Sequence, residues 1–226
     1  MKLETVVPWG RSLDEYRAMF GLRDDDLKLS ILGCGDGPAS FNAQWTALGG
    51  HVTSVDPIYQ FAAEEIRRRV EETYHSVVEQ TRISAHRFVW TRFQDADDLG
   101  HARLEAAEAF LADFNAGREA GRYQAQSLPK LDFQDNAFEL GLCSHLLFLY
   151  SEQLDLDFHL ASMRELLRVC RTVRVFPLLD LSGERCKYLQ PVVEALREDG
   201  FRAEVRRVNY EFQHGGNEML TASPGA

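Results

Sequence analysis

Lys28-Leu-Ser-Ile-Leu32, Gly33-Cys-Gly-Asp-Gly37 and then Pro38: an apolar run, a glycine turn and a proline decide how this chain reads. Residues 28–32 have the length and composition of a buried strand. After Pro38, apolar residues recur at helical spacing through Ala39, Phe41, Ala43, Trp45 and Leu48. The unit is strand, turn, helix. Glycines let such a turn take positive φ and lie close beneath a ligand, and the helix start offers free N–H groups. Gly49-Gly50 stops the helix, and His51-Val-Thr-Ser-Val55 is a second strand with Asp56 at its carboxyl end. A helical connection makes the two strands parallel.

Further along, Ala62, Ile66, Val70, Tyr74 and Val77 mark an amphipathic surface helix from Tyr59 to about Gln80, whose Arg67 to Arg69 cluster, flanked by acids, reads as a solvated face ahead of a polyanion site. Residues 82–121 exceed an ordinary connection and read as a helical insertion, either a lid or binding wall or simply additional packing. A third strand is expected at Tyr123 to Ala125. A fourth follows at Phe138-Glu-Leu-Gly-Leu-Cys143, with Ser144 and His145 at its end. A helix through Leu156, Leu160, Met163 and Leu167 leads to a fifth strand, Thr172 to Phe176, broken by Pro177. Tyr188 to Asp199 is helical and Gly200 caps it. Two final strands, Ala203 to Phe212 and Met219 to Ala222, turn at Gly215-Gly216.

This alternation predicts one α/β domain over 1–226, a doubly wound Rossmann-like sheet with residues 1–27 as an N-terminal flap. Ligands of such sheets lie beyond the carboxyl ends of the strands, which directs attention to Gly33 to Gly37, Asp56, Ser144-His145 and Pro177 to Asp180. With 226 residues and 45% hydrophobic content, one core is well supplied. A formal charge of −10 disfavours nucleic acid as the main partner. The four cysteines form no C-x-x-C pair, so no metal site is expected and the thiols read as reduced. No apolar stretch is long enough to span a bilayer, and the expected location is cytoplasmic.

A dinucleotide site would carry G-x-G-x-x-G and an acid about 20 residues later. Here the third glycine position holds Pro38, which counts against an NAD-dependent oxidoreductase. Gly33-x-Gly35-x-Gly37, Asp56 closing the second strand, the Phe133-Gln-Asp-Asn-Ala-Phe138 approach to the fourth and the paired final strands together resemble class I S-adenosylmethionine-dependent methyltransferases. Asp56-Pro-Ile-Tyr-Gln-Phe61 and Cys143-Ser-His-Leu-Leu-Phe-Leu-Tyr150 narrow this to a bacterial branch of unassigned substrate.

The resemblance implies a seven-stranded sheet with its last strand antiparallel and S-adenosyl-L-methionine as cofactor. Gly33, Gly35 and Gly37 would line the amino-acid half of the cofactor, Asp56 the ribose, and Pro57 or Ile58 the adenine. Ser127 and Leu128 would also lie by the adenine, and Ser144 would face the methionine moiety. The family's usual acid two residues before the first glycine is Ile31 here, so Asp36 and, from the flap, Arg11 are the candidates for the methionine end. His145, expected to titrate near neutral pH, is the candidate base, and His159 a second, more readily a capping residue. Tyr16 and Tyr150 are candidate pocket walls, Asp180 a substrate contact or a turn former, and Tyr210 to Glu218 a closing segment or a hairpin tip. The leading function is methyl transfer to a small molecule; the alternatives are a non-catalytic S-adenosylmethionine-binding sensor or interaction module and, behind it, the oxidoreductase. The sequence assigns no oligomeric state.

Overall fold

In β1 (Ser30–Cys34) Ile31 and Leu32 are both buried yet face opposite sides, as strand alternation requires when helices cover both faces of a sheet. The computed structural model describes residues 8–225; residues 1–7 of the expected flap, and Ala226, lie outside the described residues. β1 is paired in parallel with β2 (His51–Val55) and β4 (Phe138–Ser144). Cys34 is level with Val55 on one side and Cys143 on the other, and Val55 is level with Gln124 in the two-residue β3 (Tyr123–Gln124). Gly35, Asp56 and Ser144, the next residues in each strand, therefore emerge together at one edge.

The sheet continues through β5 (Cys170–Phe176) to β7 (Glu218–Pro224) and β6 (Phe201–Arg207), giving the order β3-β2-β1-β4-β5-β7-β6. β7 runs antiparallel to both neighbours. This is the expected doubly wound sheet with its reversed last strand. Helices α1 (Leu13–Phe20) and α2 (Phe41–Ala47) cover one face, packing Tyr16, Phe20, Phe41 and Trp45 onto Ile31, Leu140 and Leu142. α5 (Leu156–Val169) and α6 (Leu189–Glu198) cover the other, with Met163, Leu166 and Val192 on Leu32, Val173 and Val175.

Several boundaries move. β1 begins two residues later than expected, because Lys28 belongs to a 3-10 turn (Asp24–Lys28) while Gly33 and Cys34 continue the strand. The final strands pair only to Arg207 and Glu218, so Val208 to Asn217 leave the sheet. Val208, Tyr210 and Phe212 alternate like a strand, but Tyr210 bonds Glu15 of α1 and packs edge-on to Phe176 of β5, and Phe212 packs on residues 88–93. Between β2 and β3 lie α3 (Ala63–Ile83) and α4 (Ala96–Glu119). The 82–121 stretch is helical, yet α4 within it packs against α2 and β3, and the outer layer is α3, which packs chiefly on α4. Gly100 permits that approach: a Cβ there would meet Tyr74 and Val78 of α3 at 2.8 Å.

Candidate functional site

The carboxyl edge of the sheet opens into a cavity of about 620 Å³, a size typical of small-molecule sites. Gly35 and Gly37 form its floor, at φ +70° and +54°, conformations that L side chains resist. The turn is tied down from several directions. The Gly35 N–H donates to the Val55 carbonyl at 2.9 Å, the Gly37 N–H to Asp56 Oδ2 at 2.9 Å, and Tyr59 Oη–H to the Gly37 carbonyl at 2.8 Å. A Cβ on Gly37 would meet only Asp56 Oδ2, at 3.9 Å, so this glycine faces open space.

Gly33 does not line the cavity. It sits beneath the turn, where a Cβ would lie 1.9 Å from Asp36 Oδ2. Asp36 folds back into that space and accepts from Tyr16 Oη at 2.7 Å and Ser54 Oγ at 2.6 Å. Burial, with the Asp56 charge nearby, raises its pKa to about 6 despite these donors. Asp36 thus braces the turn, with each carboxylate oxygen already held by a hydroxyl.

Asp56 caps the 3-10 turn Pro57–Gln60, accepting from the Ile58 N–H at 2.9 Å as well as from Gly37. Each oxygen retains a lone pair for a ligand. Pro57 and Ile58 line the cavity beside it, and Gln126, Ser127 and Leu128 line it from beyond β3.

Ser144 and His145 lie at the end of β4, where His145 takes φ +54° and its N–H donates to the Phe176 carbonyl at 2.7 Å. Ser144 Oγ and His145 Nδ1 share a hydrogen bond of 2.9 Å. Burial, reinforced by the charges of Arg11 and Arg103, holds the imidazole well below its ordinary pKa. It is neutral at pH 7, which corrects the expectation that it titrates near neutrality. His159 is fully buried and accepts from the Phe148 N–H at Nε2 while its Nδ1 lies 2.6 Å from the Asp155 carbonyl. That histidine organises the β4–α5 loop. Asp180 accepts from Ser182 and Glu184 backbone N–H groups and builds a turn outside the cavity. Tyr150 lines the cavity, as does Tyr16.

The N-terminal segment is clamped over the glycine turn. Gly10 packs so closely on the Pro38 carbonyl that a Cβ would lie 2.0 Å from its oxygen, and the Ser40 N–H donates to the Arg11 carbonyl at 3.1 Å. Arg11 therefore lines the cavity; Nη1 donates to the Trp9 carbonyl at 3.0 Å, and Nε is buried without a partner. Nearby, Arg103 of α4 grips Glu15 of α1, with Nη2 to Oε1 at 2.7 Å and both residues 2% exposed. Tyr210 Oη–H donates to the same oxygen at 2.8 Å. Burial alone would raise Glu15, but the Arg103 guanidinium outweighs it and holds the carboxyl at about 2. One buried ion pair thus joins α1, α4 and the β6–β7 loop.

α3 also lines the cavity with Thr73, Val77 and Thr81, and the segment after it with Arg87 and Phe88. α3 is a cavity wall, not merely a surface helix: Arg69 lies 3.9 Å over the Phe61 ring and pairs with Glu65. The Val208 to Asn217 loop adds Phe212 and Gln213. Phe212 stacks on Phe88 at 4.6 Å, and backbone bonds join Val89 to Phe212 and His214 to Arg87. Sequence reasoning missed Tyr59, the Glu15–Arg103 pair and this clasp. Only the Ser12 to Glu15 capping box left a local signal, and Ser12 and Glu15 do form it. Among the described residues no cluster of His, Cys, Asp or Glu is placed to hold a metal ion, and no helix is long and apolar enough to cross a membrane.

No protein-family model matches the chain. An uncharacterised protein of Methanocaldococcus jannaschii is 32% identical over 221 residues, covering 97% of both chains. Among solved structures, magnesium protoporphyrin IX methyltransferase of Synechocystis PCC 6803 with bound S-adenosylhomocysteine superposes at TM-score 0.50 and 14% identity, covering 94% of this chain and 81% of that one. Mitomycin 7-O-methyltransferase superposes at TM-score 0.50 and 12% identity, covering 94% of this chain and 54% of that one.

Proposed function

The chain belongs to the family of the M. jannaschii protein and has the class I methyltransferase fold, and from that premise we propose that it is an S-adenosylmethionine-dependent methyltransferase acting on a small molecule. The observation that carries this reading is the open cradle at Gly37 with Asp56 beside it, at the level edge of β1 and β2. An orphaned buried donor, Arg11 Nε, lies in the segment clamped over Pro38 and Ser40. The donor set suits a zwitterionic nucleoside: Asp56 for ribose hydroxyls, Pro57, Ile58, Ser127 and Leu128 about a base, and Arg11 and Ser144 toward an amino-acid group.

When bound, S-adenosylmethionine supplies a methyl group already activated on a sulfonium. The protein's task is then to align an acceptor and keep water out. Asp36, locked to Tyr16 and Ser54, holds the turn rigid. His145, kept neutral, is the proposed catalytic residue, accepting a hydrogen bond from the acceptor and orienting it toward the cofactor. The four cysteines are buried and unpaired, in keeping with a cytoplasmic enzyme. The charge of −10 favours a small acceptor over nucleic acid.

Calorimetric titration with S-adenosylmethionine, S-adenosylhomocysteine and NAD tests the reading. Selective micromolar binding of the first two is expected. Binding of NAD alone, or of none, overturns it. Binding of the first two with no turnover over a broad acceptor panel would favour a sensor.

A further inference from the structure

Besides the groups that would hold a nucleoside, the cavity is lined by Phe88, Leu149, Phe158, Leu181 and Phe212. The Phe88–Phe212 stack and the Leu181 N–H to Leu149 carbonyl bond gather most of these into one apolar part, its far end. Into this apolar wall comes one uncompensated cation. Arg87 closes the short turn after α3 and lines the cavity, with Nη2 donating to the Leu181 carbonyl at 2.9 Å. Its own carbonyl accepts from the His214 N–H at 3.1 Å. Gly183, at φ +88°, makes room, since a Cβ there would lie 3.0 Å from Nη2.

Among the described residues no carboxylate pairs with Arg87. The cavity's Glu72 is paired with Arg68, and Asp180, in the turn that sets Gly183 against Arg87, is taken up by the Ser182 and Glu184 N–H groups and the Ser182 hydroxyl. A half-buried guanidinium held at one corner keeps the rest of its N–H fork for a planar anion. A lone fork also matches a singly charged carboxylate better than a dianionic phosphate, which usually gathers several cations. The stacked Phe88 and Phe212 rings favour a flat apolar body next to it.

We propose that the far end of the cavity takes the methyl acceptor as a flat aromatic carboxylic acid, whose carboxylate pairs with Arg87. This assignment rests on the methyltransferase reading. Arg11, on the glycine turn, serves the cofactor's amino-acid end, so the two arginines divide the anions of the ternary complex between them.

The test titrates protein saturated with S-adenosylhomocysteine against benzoate, cinnamate and naphthoate and against their primary amides. At least one acid is expected to bind about tenfold or more tightly than its amide, the difference a charge-assisted pair supplies. Arg87→Met should reduce that ratio toward one without changing S-adenosylhomocysteine affinity, and Arg87→Lys should keep part of it. Arg11→Met should weaken S-adenosylhomocysteine and spare the ratio. Equal binding of acid and amide to the unsubstituted protein, no binding of any acid, or a ratio that survives Arg87→Met each overturns the proposal. Failure of S-adenosylhomocysteine itself to bind would instead remove the cofactor reading on which it stands.

Discussion

The two ends of the cavity are built on opposite plans. At the glycine turn, Asp36 and Asp56 are both engaged by groups close at hand, and the pieces come from three adjacent strand ends. At the far end, the 85–93 segment that follows α3 and the Val208 to Asn217 loop converge from distant parts of the chain and meet through aromatic stacking and a few backbone bonds. The first plan is rigid and prepaid in hydrogen bonds; the second is apolar and assembled by tertiary contact. A cofactor shared by many enzymes suits the first, and an acceptor peculiar to one suits the second.

The largest expected effect is on the ion pair that joins the two ends. Arg103→Met leaves Glu15 charged, buried and without its partner, and should cost about 3–5 kcal/mol of folding stability by urea denaturation. A loss below about 1 kcal/mol would mean that α1, α4 and the β6–β7 loop are not joined there. The same pair has a pH signature. Glu15's folded pKa of about 2 lies below its ordinary 4.5, so its stabilisation is complete above pH 4.5 and disappears as pH falls toward about 2. The stability gap between the unsubstituted protein and Glu15→Gln, about 3 kcal/mol at pH 7, should therefore shrink through that window.

Asp56→Ala should separate the two ends directly. Loss of the carboxylate is expected to weaken S-adenosylhomocysteine by about 2–3 kcal/mol in calorimetry, with about 1 kcal/mol lost from folding because the cap on Ile58 goes too. Unchanged affinity would place the ribose elsewhere. Phe212→Ala, by contrast, should leave S-adenosylhomocysteine binding within about 0.5 kcal/mol while loosening the Phe88 clasp by about 1 kcal/mol. Exposure of that clasp is readable by hydrogen exchange at Val89, whose N–H donates to Phe212. The smallest effect is a null slope: with an acceptor in hand, His145→Ala should lower turnover and spare cofactor affinity. The unsubstituted enzyme's rate should show no inflection from this imidazole between pH 6 and 8, because burial keeps it neutral. An inflection lost in His145→Ala would restore it as a titrating base.

The geometry of the glycine-turn end was largely legible because its signals are local. Glycines at 35 and 37, an acid closing a strand and a serine closing another report backbone needs that a few neighbouring residues express. Gly33 looked like part of the same lining, yet its missing Cβ accommodates Asp36, a contact that spacing does not distinguish from ligand approach. The far end was poorly legible. Of the α3 residues that line the cavity, Val77 read as part of an amphipathic stripe while Thr73 and Thr81 stood outside it, and periodicity says that a stripe is covered without saying by what. Val208, Tyr210 and Phe212 alternate as strand residues do, but the partners that bury Tyr210 and Phe212 are Glu15 and Phe88, far away in sequence.

By itself, then, the sequence determined the alternation of a doubly wound sheet, its paired final strands and the position of the glycine turn at the strand ends, since period, glycine placement and strand-end residues act over short stretches of chain; the reversed last strand was implied by the family resemblance. Only the tertiary structure decided that Gly33 serves Asp36, that α3 is a cavity wall, that His145 stays neutral and that Arg87 reaches the cavity with no carboxylate paired to it among the described residues. Those properties depend on desolvation and on charges contributed by segments up to about two hundred residues apart, as Glu15 and Tyr210 are, and no local pattern records them.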